Sequence, residues 1–218
     1  MSDHLVPLGK PEKEIRVKNS RFVASLSLAT SVKSANAFIQ YIEKKYPDAS
    51  HHVPAYIIGH GTSKISHAND DGEPSGTAGR PALAVLEGSG LGDVVVIITR
   101  YFGGTKLGTG GLVRAYSDAV RSVLSVTPKA KKVKAHLIEL SLPYSYYETI
   151  SKMVREFGGK EYDADFGGDV KLTIHIPSSS FDKFKIKLLE ITSGAVVPCV
   201  LSSDETLLSP LINHSDKG

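Results

Sequence analysis

Thirteen of the chain's twenty glycines lie between Gly59 and Gly111. Glycine loses more conformational freedom on folding than any other residue. Such a concentration therefore persists where the backbone needs positive φ or close approach to another group. Two clusters hold most of it, Asp70–Arg80 and Arg100–Arg114. Between them, Asp93–Thr99 contains the run Val94-Val95-Val96-Ile97-Ile98. It reads as a strand buried on both faces and hence central in its sheet.

The second cluster runs strand, glycine-rich loop, helix start. That order aims backbone N–H groups and a helix N-terminus at one spot, which favours an anion. Arg100, Lys106 and Arg114 add charge beside Gly103, Gly104, Gly110 and Gly111. The loop lacks the Walker pattern, and Gly108-x-Gly110 is followed by Val113 where a dinucleotide fingerprint needs its third glycine. Tight loop-to-helix packing is the competing reading. The first cluster brings together Asp70, Asp71 and Glu73. Paired carboxylates bind divalent cations or exchange protons. The plainer alternative has them capping turns or pairing with Arg80, Arg100 or Arg114. His51 and His52 lack a third ligand at standard metal spacing, so no metal centre is assigned. Ser75 sits on a glycine-rich loop without a G-x-S-x-G elbow around it.

Charge is uneven. Residues 1–134 hold 18 Lys+Arg against 11 Asp+Glu, a balance of +7, and residues 135–218 hold 8 against 12, or −4. A basic first half permits contact with nucleic acid. The single cysteine, Cys199, falls in an apolar run and reads as a buried small hydrophobe, which excludes a disulfide framework. No apolar stretch reaches the ~18 residues of a membrane span. The start, Met1-Ser2-Asp3-His4, has no basic n-region. A cytoplasmic protein with no membrane attachment is expected.

The length suits two domains. Residues 1–13 read as a flexible N-terminus and 14–127 as a first α+β domain. Four lysines within Pro128–Lys134 mark a linker, 135–205 a second domain, and 206–218 a loose tail. In the first domain Ser31 reads as the N-cap of a helix carrying Ala35, Phe38 and Ile42. A later helix carries Leu112, Tyr116, Ala119, Val120 and Val123 on one apolar face. The second domain reads β-α-β-β-α-β, the order of a ferredoxin-like split βαβ sandwich. Its first helix carries Ser145 and Glu148 at capping-box spacing, and Ser178–Ser180 caps the second.

Asp70–Arg80 and Arg100–Tyr116, together with Lys18-Asn19-Ser20-Arg21-Phe22 and Ala49–Tyr56, resemble the hallmark motifs of the IMPACT/YigZ family. Val53 departs from that pattern, because many members carry cysteine there. The resemblance implies a first domain with the fold of the second domain of a small-subunit ribosomal protein. It implies a second domain similar to domain V of elongation factor G. It also implies a link to translation regulation, with RNA or the ribosome as partner. In that reading the protein is non-catalytic. Arg80, Arg100, Lys106 and Arg114 meet phosphates, and Tyr101 or Phe102 stacks on a base. Two alternatives stay open: a Mg-dependent enzyme acting on a nucleotide or phosphorylated small molecule, and a protein-interaction module whose motifs only hold the fold.

Overall fold

A computed structural model describes residues 4–210, with side chains to residue 203. The chain divides into two compact units, His4–Ala130 and Lys131–Ser209. Both are mixed α and β, with antiparallel strand pairing inside each.

The first unit contains β1 (His4–Pro7), β2 (Glu12–Val17), β3 (Ser20–Leu28), α1 (Val32–Lys45), β4 (His51–Ile58), β5 (Ile65–Ala68), α2 (Gly79–Gly88), β6 (Val94–Tyr101) and α3 (Thr109–Ser125). Its main sheet has the order β2-β3-β6-β4-β5. β6 is central, as its apolar run predicts. Val94, Val96 and Ile98 enter a core shared with Leu86 of α2 and with Leu112, Ala119 and Val123 of α3. Val95 and Ile97 enter the opposite core with Ala35, Phe38 and Ile42 of α1. Helices on both faces explain why a strand in an antiparallel sheet carries no polar alternation. Ser31 caps α1 as expected, its Oγ accepting from the Ser34 amide while Ser34 Oγ accepts from the Ser31 amide.

The second unit contains β7 (Lys129–Leu142), whose first two residues still belong to the first unit, α4 (Tyr144–Glu156), β8 (Lys160–Phe166), β9 (Val170–Pro177), α5 (Phe181–Ile191) and β10 (Cys199–Pro210). The expected element order is the one found. β9 lies between β7 and β8, and β10 pairs with β7. Ile138, Leu140, Leu172 and Ile174 form its core with Ile150 and Val154 of α4 and Phe184 and Leu188 of α5.

Several expectations are corrected. The lysine-rich segment 128–134 is not a free linker, because all but its first residue belong to β7. Ala130 is fully buried, and the Lys134 carbonyl accepts from the Ser178 amide at 2.9 Å. Residues 4–13 are not flexible either. Val6 is fully buried, the Gly92 amide donates to the Leu5 carbonyl at 2.9 Å, and β2 begins at Glu12. The other residues given to a flexible start, 1–3, lie outside the described residues, as do 211–218 of the tail. Residues 206–210 of that tail belong to β10. Cys199 is exposed rather than buried. In its apolar run Val196 alone is fully covered, while Val197, Val200 and Leu201 face outward. α4 starts at Tyr144 behind Pro143 without a side-chain cap, so Ser145 and Glu148 form no capping box. Ser180 precedes α5, also without a side-chain bond.

Candidate functional site

Arg100 stands near the C-terminal end of β6, opposite Phe22 of β3 and His51 of β4. It is only 4% exposed. A buried guanidinium requires a partner. Arg100 Nη1 donates to Glu73 Oε1, and Nη2 donates to Ser20 Oγ at 3.3 Å. Tyr116, from the apolar face of α3, also donates its hydroxyl to Glu73 Oε1, at 2.7 Å. Burial, and after it the Glu73 carboxylate, pushes the Tyr116 phenol far above its ordinary range, so it stays a donor. This buried triad ties the first glycine cluster to the central strand and to α3.

The other two carboxylates are also engaged. Asp70 accepts from the amides of Gly76 (2.7 Å), Gly79 (2.8 Å) and Ala78 (3.1 Å). Its carboxylate thus closes the loop onto the first turn of α2, which has no side-chain cap of its own. Burial opposes the charge, but these three amides outweigh it and hold the carboxyl below its usual range. Asp71 sits at φ +44° and accepts from the His52 amide through Oδ2. Its carbonyl accepts from His51 Nδ1–H at 2.7 Å. The acidic motif therefore spends its carboxylates inside the fold. Among the described residues, no three His, Cys, Asp or Glu side chains come together as a metal site.

A stability consequence follows for Asp70. A lowered carboxyl pKa stabilises the fold above the unfolded value of about 3.9, and that contribution is lost as pH falls through the folded value. Asp70→Asn is expected to lower stability at pH 7 by about 1–2 kcal/mol. Melting curves taken down to about pH 3 should show the gap to wild type closing. A gap of constant size at all pH values would contradict the assignment.

The second cluster forms the loop between β6 and α3, and the motif residues around it hold it down. The Phe102 amide donates to Ser50 Oγ at 3.0 Å and the Gly103 amide to Ser20 Oγ at 3.3 Å. Asn19 Nδ2 donates to Thr105 Oγ1 at 3.4 Å. Gly103 packs directly on the Asn19 carbonyl, where no side chain fits. Gly104 and Gly108 take φ of +79° and +74°. The first bond of the α3 ladder runs from the Leu112 amide to the Gly108 carbonyl. The amides of Thr109, Gly110 and Gly111 thus precede the ladder, and the helix has no side-chain cap.

These parts meet in a cavity of about 380 Å³. His51, Glu73 and Arg100 line its inner wall, Phe102 and Leu107 its sides, and Lys106, Gly108 and Thr109 its mouth. Phe102 is 48% exposed. The two clusters therefore do border one cleft, but not with all the residues singled out in the sequence. Tyr101 turns away: its hydroxyl donates to Asp48 at 3.1 Å and its ring lies 4.1 Å from the Arg21 guanidinium. Arg80 lines a separate groove between α2 and α3. Arg114 is exposed on α3 outside the cavity lining. Sequence reasoning missed Ser20, Ser50 and Tyr116 as site-building residues. All three stand out in the sequence only as members of recognisable motifs, Tyr116 also as an apolar-face residue of a helix.

Residues 18–124 match the Impact N-terminal domain, and residues 140–195 match a domain of unknown function (DUF1949). The IMPACT family member YigZ of Escherichia coli is 34% identical over 90% of this chain and 97% of its own length. The chain belongs to the IMPACT family. A family member of Haemophilus influenzae is 34% identical over 94% of this chain and all of its own length. YvyE of Bacillus subtilis is 34% identical over 93% of this chain and 92% of its own. A crystal structure of a hypothetical protein is similar at 32% identity and TM-score 0.62, covering 94% of this chain and all of that one. Among the described residues of this IMPACT family chain, no helix is long and apolar enough to cross a membrane.

Proposed function

We propose that this protein is a non-catalytic, cytoplasmic binding protein linked to translation regulation. In this reading the unit His4–Ala130 contacts RNA, free or on the ribosome, at the cleft between the two glycine clusters. The carrying observation is the bare start of α3. Gly108 and Gly110 have open space where a Cβ would stand. No neighbour demands glycine at Gly110, and its φ is ordinary for a helix. An absent side chain there lets a phosphate approach the free amides. Lys106 at the mouth adds positive charge, and the exposed Phe102 ring offers a base a stacking surface. The carboxylates that an enzyme would need for a metal ion are held by backbone amides, Arg100 and Tyr116. Kinship of the first unit to the second domain of a small-subunit ribosomal protein, and of the second to a ferredoxin-like elongation factor G domain V, belongs to the same proposal.

The test is anisotropy with a short labelled single-stranded RNA, alongside sedimentation with ribosomal subunits. Binding is expected at about 50 mM salt and should weaken roughly tenfold by about 200 mM, as two to three phosphate contacts require. Lys106→Glu should weaken it further without changing the melting curve, since Lys106 is exposed. No binding to RNA or to subunits at low salt would overturn the reading.

A further inference from the structure

A second concavity of the first unit plays no part in that cleft. It is a groove of about 950 Å³ between α2 and α3. Its floor is apolar, with Val85 from α2 and Val113 and Leu124 from α3. Val113 is 38% exposed, and Val85 and Leu124 are partly buried against the core beneath. Arg80, Arg121 and Lys129 stand along the groove, and among the described residues no carboxylate lines it. Arg121 pairs with Asp118 at 2.8 Å, but that pair is exposed and worth little.

We infer that this groove docks an acidic amphipathic helix of a protein partner. Two helices side by side present ridges that a third helix can enter, its apolar residues spaced i, i+3 or i+4, and i+7. α2 has ten residues, so the groove is roughly 15 Å long and accommodates two to three turns. Apolar anchors from such a helix cover the valines and Leu124, and acidic flanks meet the three cations. The charge selects against the other occupants. A second copy of this chain docking symmetrically brings Arg80, Arg121 and Lys129 against themselves. RNA lacks the apolar surface that the floor requires, and among the described residues no aromatic side chain lines the groove for base stacking. The inference stands apart from the RNA reading, because the groove shares no lining residue with the cleft.

The test uses a labelled designed peptide of about 16 residues with leucines on one helical face and glutamates on the other. Its control has the same composition with the leucines spread around the helix. The patterned peptide is expected to bind saturably and at least about tenfold more tightly than the control. Val113→Glu should abolish binding while leaving the melting temperature close to wild type, since the site is exposed. Arg121→Glu should weaken it severalfold, and Lys106→Glu should leave it unchanged. Equal binding of both peptides, no binding of either, or binding indifferent to Val113→Glu overturns the inference. So does light scattering that shows a dimer abolished by Val113→Glu, or RNA that displaces the patterned peptide from the Lys106→Glu variant.

Discussion

Arg100→Ala is expected to destabilise the His4–Ala130 unit by about 3–5 kcal/mol, because it strands the buried Glu73 carboxylate. Glu73 is 8% exposed and, once the guanidinium is gone, keeps the Tyr116 hydroxyl at 2.7 Å and His51 Nε2 at 3.9 Å. Ser20 loses a donor as well. The melting transition of this unit should fall by roughly 10–20 °C. Breaking a buried pair and replacing it are different experiments. Arg100→Met combined with Glu73→Leu removes both charges and keeps most of the volume, so the double variant should recover much of the loss. Its losses should therefore fall well short of the sum of the single ones. Melting curves of the two single variants and the double variant measure this. An Arg100→Ala protein that melts with wild type would remove the triad as a structural element.

That triad marks where the sequence could be read and where it could not. The apolar run of β6 announced a central strand, because five consecutive β-branched residues leave no polar face. α1 was legible from Ser31, its apolar spacing and its terminal lysines. The lysine-rich segment misleads because its charge suggests a solvated connector. β7 instead runs through it with Ala130 and Ala135 buried and Lys131 and Lys134 exposed, without a simple alternation. Cys199 misleads for the opposite reason. Apolar composition suggests burial only where another layer covers the strand, and here the run surrounding it is mostly exposed. At the site, the sequence showed that Arg100, Glu73 and the glycines belong together in motifs. It could not show that Arg100 turns inward to Glu73 while Lys106 stays outside. That division depends on strand register: Arg100 lies level with Phe22 and His51, deep beside the loop that carries Glu73.

Gly103→Ala and Gly110→Ala are expected to act in opposite directions on stability, though both residues belong to one motif. A Cβ on Gly103 would coincide with the Asn19 carbonyl group and stand 2.6 Å from Asn19 Cβ. The obstacle is mainly backbone in the turn between β2 and β3, so no flexible side chain can give way. The loop must lift off, breaking the Gly103 amide's bond to Ser20 and Asn19's bond to Thr105. A loss of about 3 kcal/mol is expected, at the upper end of overpacking effects. The Gly110 Cβ meets nothing within 4 Å, and its residue is helical. Alanine there should stabilise the unit by about 0.5–1 kcal/mol. If Gly110 is kept bare for a phosphate, the more stable variant should bind RNA more weakly, the usual opposition between stability and a binding surface. Unfolding curves and RNA anisotropy on the same two proteins separate packing from binding. Gly110→Ala with full affinity would mean that the open start of α3 is not where RNA is held. Loss of affinity without loss of stability would place the contact at that helix start.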